Sequence, residues 1–287
     1  MQFHMRKVAL TDVGARGQVN QDALLIRTAS SKTLGRICFA LVCDGLGGLS
    51  MGEVASAALT GRMEHWFRND FIKMIRGMGN SQADIQSAMH HVRIAWQGIL
   101  SEMNERLALY GKSQGTRLGT TTVAFLLIGS RYLVMHVGDS RLYVTDGRSL
   151  KRLTHDHSLV QRQLDAGILT PAQASLSDKK SILLQCVGAS PVVRPDFRSG
   201  TLLENTSVLL CTDGFWRRLH DEELRDALCR EDIRSEKEML RTLKQLISNI
   251  KHRGEHDNIS VIWLSFTVDV PAFAPRRKAA SELAAPC

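Results

Sequence analysis

The sequence of 287 residues has no apolar run long enough to cross a membrane; stretches such as 121–128 and 207–211 are among its longest. A membrane-spanning helix needs about 20 consecutive apolar residues. The N-terminal segment MQFHMRKVAL also has no long apolar core that ends in small residues, which a secretory signal would have. These absences predict a cytoplasmic protein with no membrane partner.

Paired cysteines are missing as well. None of the six cysteines forms a CxxC pair, and no zinc-binding spacing of cysteine and histidine is present. Cys38, Cys43, Cys186 and Cys211 lie within or beside apolar runs. The pattern predicts small buried side chains in a reducing compartment.

Although the formal net charge is +8, the sequence has no dense basic block. The nearest to one is 276–278, in a proline-containing tail at 269–287 that we expect to be flexible. Scattered lysines and arginines argue against a nucleic-acid partner. A mild positive field would favour anionic substrates.

The periodicity of apolar residues changes along the chain. Spacings of three and four residues predict helices at 52–69, 81–110, 157–166 and 235–252. Short apolar or alternating segments predict strands that follow one another in groups, among them 36–43, 207–212 and 258–266. Grouped strands, rather than strict strand–helix alternation, predict an α+β fold of packed antiparallel sheets with helices outside.

Three aspartates lie at the ends of predicted strands. Asp44 and Asp213 each follow an apolar strand and precede a glycine, and Asp257 precedes the last strand. If they gather, their carboxylates repel one another, and a divalent cation would remove that conflict. Oxygen ligands, including the carbonyl of Gly45, favour Mg²⁺ or Mn²⁺. Taken singly, an Asp-Gly pair also fits a simple turn, as at 146–147.

Seven motifs extend this pattern over most of the chain. In order they are NQD at 20–22, VCDGLGG with GEVAS at 42–56, GTT at 119–121, HVGDSRLY at 136–143, THDH at 154–157, TDGFW at 212–216 and HDNISV at 256–261. With these motifs the sequence resembles the metal-dependent Ser/Thr protein phosphatases of type 2C, in particular the compact bacterial branch. The resemblance covers residues from about 8 to 268.

The resemblance implies an α-β-β-α sandwich, in which two antiparallel sheets are flanked by helices and the metal site lies at one end. It implies one catalytic domain over 1–268. Within it, the segment 157–190 resembles the mobile flap of the family. That segment would be either a substrate-docking element or a plain surface connection.

The resemblance also assigns site residues. Asp44, Asp213 and Asp257 match metal-binding aspartates, Asp44 would bridge two ions, and Gly45 would offer its carbonyl. Asp22 would lie just outside the direct metal ligands, and Asp156 would hold a third ion together with Asp213. Asp139 and Arg141 would be structural residues.

Two positions depart from the family's pattern. An arginine that contacts the substrate phosphate is usual three residues before Asn20, but Gly17 stands there and Arg16 precedes it. A shifted loop would let Arg16 reach the phosphate; otherwise Arg16 is a solvated turn residue. A histidine proposed as general acid in some members is replaced by leucine, and we expect His155 and His157 to be satisfied or exposed instead.

The activity implied by the resemblance is hydrolysis of phosphoserine and phosphothreonine in proteins, by attack of a water that bridges two Mn²⁺ or Mg²⁺ ions. The partner would be a phosphorylated protein, namely a bacterial Ser/Thr kinase or its targets, and the enzyme would be a monomer. The alternative is an inactive member that binds phosphoproteins.

Overall fold

The computed structural model describes residues 3–15, 19–46, 51–203, 205–229, 233 and 235–268. Arg16 and the tail at 269–287 therefore lie outside the described residues. The predictions made for them, a phosphate contact and a flexible end, stay predictions.

Within these described residues, ten strands form two antiparallel sheets of five strands each. The first sheet contains, in spatial order, β1 (Phe3–Asp12), β10 (Ile259–Val268), β9 (Thr206–Cys211), β6 (Arg141–Thr145) and β7 (Leu150–Arg152). The second contains β2 (Asp22–Ser31), β3 (Gly35–Asp44), β4 (Thr122–Ile128), β5 (Arg131–Val137) and β8 (Asp196–Thr201).

Helices cover the outer faces of both sheets. Near the second sheet lie α1 (Gly52–His65), a π-helical stretch (Trp66–Phe71), α2 (Ile72–Ile75) and α3 (Gln82–Ser113). The other helices are α4 (Leu159–Asp165), α5 (Pro171–Leu176), α6 (Asp213–Trp216), α7 (Asp221–Leu228) and α8 (Glu236–His252), of which α7 and α8 pack on the first sheet.

Alternation along the strands explains how the layers hold together. In β3, Cys38, Ala40 and Val42 face the apolar layer between the two sheets, whereas the intervening residues face the layer under α1 and α3. A third layer lies between the first sheet and α8. Because successive strand side chains point to opposite faces, a strand buried on both sides is apolar throughout. The predicted α-β-β-α sandwich is confirmed.

The predicted helix at 52–69 differs from the structure in its second half. The α-helical hydrogen bonding of α1 ends at His65, and a π-helical stretch continues to Phe71. Its aromatic rings pack around Phe39 of β3, with the Phe67 ring stacked on the Phe39 ring at 5.3 Å between centroids. Aromatic packing of this kind depends on a distant strand, so the helix periodicity alone could not predict the change.

The two ends of the described chain meet in one sheet. β1 pairs with β10 from Asp12 opposite Ile259 to Phe3 opposite Val268. The prediction that 1–268 forms a single domain agrees with this pairing and remains a prediction.

Among the residues that the structure describes, no helix has both the length and the apolar character needed to cross a bilayer. The predicted burial of Cys38, Cys43, Cys186 and Cys211 is confirmed, and none of the described cysteines is in a disulfide.

Candidate active site

Four strand ends meet at one end of the sandwich. Asp44 is the last residue of β3, and it lies opposite Asp22, the first residue of β2. Asp213 follows β9, and Asp257 precedes β10, the antiparallel neighbour of β9. Because the end of one antiparallel strand lies beside the start of the next, residues 191 positions apart in the sequence, such as Asp22 and Asp213, reach the same region.

Three carboxylates converge most closely. One carboxylate oxygen from each of Asp44, Asp139 and Asp213 lies within 4.8 Å of the others. Asp139 reaches the cluster because it follows β5 through Gly138, whose positive φ of 106° turns the chain. The cluster therefore combines residues from both sheets.

The backbone around Asp44 is fixed by the loop before β4. The amide of Thr121 donates to the carbonyl oxygen of Asp44 at 2.8 Å, and the hydroxyl of Thr120 donates to the same oxygen at 3.0 Å. The amide of Asp44 donates in return to Oγ1 of Thr121 at 3.2 Å. These bonds fix the backbone from which the carboxylate of Asp44 projects.

Gly45 permits a close approach of three chain segments. Its amide donates to the carbonyl oxygen of Gln21 at 3.0 Å. A Cβ at this position would collide with the backbone of Gly52 and with the carbonyl oxygen of Gln21. The glycine is thus required for the tight packing of β3, the start of β2 and the start of α1.

Burial and mutual repulsion raise the pKa values of the clustered aspartates. Burial is the largest cause for Asp44, whose pKa is raised well above its usual value, and the charges of Asp22, Asp139 and Asp257 raise it further. Burial raises the pKa of Asp139 to about 6 and that of Asp22 to about 7. Carboxylates in this situation either hold protons or face a cation, so the residues present fit a divalent ion that prefers oxygen ligands.

An arginine already faces the cluster. Arg217, at the end of α6, contacts the carboxylate of Asp213, and its Nη1 lies 3.8 Å from Oδ2 of Asp257. Its Nε atom is buried and has no hydrogen-bond partner among the described residues. The single positive charge of Arg217 offsets only part of the negative charge of the carboxylates, so the site remains acidic.

Residues 13–256 match the family model described as Protein phosphatase 2C. The chain belongs to the protein phosphatase 2C family. The match spans the site just described, from the loop before β2 to the residue before Asp257.

Similar proteins agree with the family. Protein phosphatase PhpP of Streptococcus pneumoniae is 29% identical over 258 residues, which cover 89% of this chain and 95% of that protein. The structure of the S. agalactiae serine/threonine phosphatase superposes with a TM-score of 0.71 at 27% identity, covering 91% of this chain and 99% of that one. The fold also resembles the catalytic domain of the phosphatase PstP in complex with 2 manganese ions, with a TM-score of 0.69, 24% identity and coverage of 93% and 100%.

The structure brings most of the predicted site residues of this family member together. Asp44 and Asp213 are in the cluster, and Asp22 lies behind it, where its Oδ2 accepts a hydrogen bond of 3.1 Å from the hydroxyl of Thr212. Asp257 lies at the rim with a half-exposed side chain. Arg16 lies outside the described residues.

Asp156 is paired with arginines in the structure. Its carboxylate accepts hydrogen bonds from Nε and Nη2 of Arg141 at 3.1 and 2.7 Å. Arg152 adds a contact at 3.5 Å. The role expected for Asp156, to hold a third ion with Asp213, stays a prediction. A carboxylate that does lie beside Asp213 is that of Asp139, which follows the end of β5 after Gly138.

Arg141 links Asp156 to the loop that carries Asp139. The guanidinium of Arg141 stacks on the ring of Trp216, 3.3 Å from its centroid, and the indole Nε1 of Trp216 donates to the carbonyl oxygen of Asp139 at 3.0 Å. The predicted structural role suits Arg141, whereas Asp139 belongs to the acidic cluster itself.

Sequence reasoning missed Asp139 and Arg217 as members of the site. Asp139 follows an apolar strand, as Asp44 and Asp213 do, but its glycine comes before the aspartate and not after it, so the pattern that identified the other two does not include it. Arg217 comes four residues after Asp213, directly after a helix of only four residues. No pattern in the sequence indicates that its side chain turns back to the cluster.

Without metal, the protein should become less stable as the pH rises from about 4 to about 7. Unfolded Asp22 releases its proton near pH 4, whereas burial raises the pKa of the folded residue to about 7. Between these values the folded state holds the extra proton, so stability falls with rising pH by up to about 4 kcal/mol. Urea unfolding in a chelator, at several pH values, measures this.

Asp22→Asn provides the comparison for that prediction. The difference in unfolding free energy between the wild type and Asp22→Asn should change in favour of the variant as the pH rises. Carboxylates that do not interact with Asp22 contribute equally to both proteins and cancel. The charge of Asp22 helps to raise the pKa of Asp44, so the loss of this charge changes the difference in the same direction. A difference that is independent of pH would contradict the raised pKa.

Proposed function

We propose that the chain is a metal-dependent phosphatase that hydrolyses phosphoserine and phosphothreonine in proteins. The observation that carries the proposal is the convergence of Asp44, Asp139 and Asp213 within 4.8 Å at one end of the sandwich. Membership of the protein phosphatase 2C family and the names of its relatives support it.

Mn²⁺ or Mg²⁺ ions would be held by carboxylates and one carbonyl. The ligand groups in the proposal are the side chains of Asp44, Asp139, Asp213 and Asp257 and the backbone carbonyl of Gly45, with Asp22 behind Asp44. When bound, such ions lower the pKa of a coordinated water and offset charge on phosphoryl oxygens. The buried cysteines have no role in this chemistry, which needs no protein nucleophile.

Arg217 takes the phosphate-binding role in this proposal. Its guanidinium lies beside Asp213 and near Asp257, and the family's usual arginine position holds Gly17. With Asp213 and Asp257 engaged as metal ligands, the guanidinium would be available to an anionic substrate. A planar guanidinium binds two phosphate oxygens at once, which orients the phosphoryl group for attack.

The segment 157–190 would contribute to substrate docking. Together with α6 and the loop that follows it, this segment encloses a cavity of about 510 Å³ next to the cluster. Lys180, Arg217, Arg218 and Arg253 line the cavity, and Asp156 is its acidic member. A positive lining favours phosphorylated segments with acidic neighbours.

The biological setting belongs to the same proposal. The enzyme would act in the cytoplasm of a bacterium, as a monomer, on a Ser/Thr kinase or on the targets of that kinase. The bacterial source of the named relatives supports this, and so do the unpaired cysteines, which are typical of a reducing compartment.

Chelation and restoration of metal test the proposal. Turnover of an aryl phosphate and of a phosphothreonine peptide should disappear in excess EDTA and return on addition of Mn²⁺. Ca²⁺ at the same concentration is the control, since its preference for six to eight ligands and longer bonds suits a different geometry.

The alternative function is a phosphoprotein-binding module without turnover. It would be favoured by manganese binding, shown by calorimetry, together with no hydrolysis of either substrate. Hydrolysis that persists in EDTA would contradict both functions as stated here.

A further inference from the structure

A second group of metal-ligating side chains lies beside the acidic cluster. His136 is near the end of β5, Asp196 begins β8 directly opposite it, and His157 lies in the loop before α4. One ligand atom from each of the three lies within 4.8 Å of the others. The backbone amide of His157 donates to the carbonyl oxygen of Gly138 at 2.7 Å, which fixes the loop against β5.

His136 lacks the hydrogen bonds that a buried imidazole needs. Its residue is 1% exposed, and neither ring nitrogen has a hydrogen-bond partner among the described residues. Its ring centroid is 4.8 Å from that of His157. Burial lowers the pKa of His136 to about 3, so at neutral pH the ring is uncharged and one nitrogen offers a lone pair.

We propose that His136, His157 and Asp196 form a binding site for a zinc-class transition-metal ion, separate from the carboxylate site for Mn²⁺ or Mg²⁺. Two imidazole nitrogens and one carboxylate suit Zn²⁺ and its neighbours, whereas Mg²⁺ prefers oxygen alone. Nothing in the proposed phosphatase chemistry uses these three residues.

The distance between two of the ligand atoms suits such an ion. Nε2 of His157 and Oδ2 of Asp196 are 3.3 Å apart. Two ligand atoms of a tetrahedral zinc ion, with bonds near 2.0–2.1 Å, are separated by about 3.3 Å. The side chain of Asp196 is 51% exposed, which gives the ion a path from solvent and leaves a fourth position for water.

Binding changes the position of one proton. Without the ion, Nδ1 of His157 accepts a hydrogen bond from the amide of Gly138 at 3.3 Å, so the ring proton is on Nε2 and faces Asp196. The ion would bind the lone pair of Nε2, and the proton lost from Nε2 is balanced by one gained at Nδ1, so the imidazole stays neutral. The long contact with Gly138 is lost, and three coordination bonds form in exchange.

This proton shift connects the two sites. Gly138 directly precedes Asp139, a member of the acidic cluster. His157 is the first residue of the segment 157–190, which lines the cavity beside that cluster. A bound ion would therefore join the start of this segment to β5 and β8, and the Gly138 amide would report its binding.

Zinc titration of the metal-stripped full chain, in excess Mg²⁺, tests the site. Competition with a chromophoric chelator should reveal one tight Zn²⁺ equivalent, and Co²⁺ should give the strong visible absorption of a tetrahedral complex. Asp196→Ala and His157→Gln should each weaken Zn²⁺ binding by more than about 100-fold, because the loss of even an outer partner of a ligand costs 10- to 100-fold.

Matched variants distinguish this site from the acidic cluster and from a nearby His–Asp pair. His155 and Asp165 form that pair, with Nε2 and Oδ2 2.7 Å apart, and neither belongs to the group of three. His155→Gln should leave Zn²⁺ binding unchanged, and so should Asp44→Asn, which alters the acidic cluster. In nitrogen-15 spectra, Zn²⁺ should shift the Gly138 amide in the wild type and not in Asp196→Ala.

Three outcomes would overturn the proposal. They are the absence of a tight Zn²⁺ equivalent in excess Mg²⁺, equal affinity in Asp196→Ala and the wild type, and loss of the Zn²⁺ equivalent in Asp44→Asn. The last would place the ion in the acidic cluster. None of these outcomes depends on phosphatase activity.

Discussion

Replacing Asp44 by asparagine is expected to abolish turnover and, at the same time, to stabilise the metal-free protein. Asp44 lies at the centre of the acidic cluster, where burial and the charges of Asp22, Asp139 and Asp257 all raise its pKa. Asparagine has nearly the same shape but no charge. It therefore removes repulsion from the metal-free site and removes the ligand on which ion binding depends.

The size of the two effects differs. Bound ions contribute several kcal/mol of charge stabilisation in phosphoryl transfer, so we expect turnover to fall by about 10³-fold or more. The melting temperature of the metal-free variant should exceed that of the metal-free wild type. Its increase on addition of Mn²⁺ should be much smaller than in the wild type.

Asp70→Asn is the matched control for this prediction. Asp70 is an exposed aspartate in the π-helical stretch, remote in sequence from every strand end of the site. Its replacement should change neither turnover nor the stabilisation by Mn²⁺. An Asp44→Asn variant that keeps wild-type turnover would rule out the proposed role of the cluster.

The part of this site that was predictable is the part that the backbone determines. Asp44, Asp213 and Asp257 could be found because each lies at a strand end beside glycine or asparagine, and antiparallel pairing brings such ends together. The layered fold was predictable for the same reason, since burial on both faces leaves continuous apolar strands such as 36–43.

What could not be predicted depends on side chains that meet across the fold. Asp139 and Asp156 both lie near a strand end, and only the structure shows that Arg141 donates hydrogen bonds to the carboxylate of Asp156. The bonding of Arg141 in turn depends on the position of Trp216, 75 residues further along the chain. The pairing of charged side chains depends on packing between residues that are far apart in the sequence. The periodicity of apolar residues does not predict such pairing.

Secondary structure was likewise predictable only where local signals in the sequence are strong. The helix at 235–252 was predicted to within one residue of α8, because an apolar stripe and the Ser235 cap define it locally. The short helix α7 was missed. Its acidic first turn, Asp221–Glu223, signals a helix start, but with only eight residues its apolar stripe is too short to stand out.

Replacing Arg217 by alanine is expected to tighten metal binding while it weakens catalysis. The guanidinium contacts Asp213 and lies 3.8 Å from Asp257, so it would compete with cations for these carboxylates. Without it, the affinity for Mn²⁺ should rise. The substrate phosphate would lose a charge-assisted hydrogen-bond partner, and kcat/KM should fall by about 10- to 100-fold.

Three measurements separate this role from a purely structural one. Calorimetry gives the Mn²⁺ affinity, inhibition by inorganic phosphate gives anion affinity, and Arg217→Lys keeps the charge without the planar fork. We expect phosphate inhibition to weaken strongly in Arg217→Ala and less in Arg217→Lys. Arg225→Ala is the control, because Arg225 is exposed on α7, its Nη2 lies 2.9 Å from Oδ1 of Asp226, and it does not line the cavity.

The Mn²⁺ affinity and the phosphate inhibition of Arg217→Ala together distinguish two roles of the guanidinium. A guanidinium that only offsets the carboxylates would raise metal affinity when removed and leave phosphate inhibition unchanged. A guanidinium that contacts the substrate must change both, since a single group serves the aspartates before the ions bind and the phosphate afterwards. Unchanged phosphate inhibition in Arg217→Ala would therefore favour Arg16 as the residue that contacts the phosphate. Arg16 lies one residue before the position at which the family usually has this arginine.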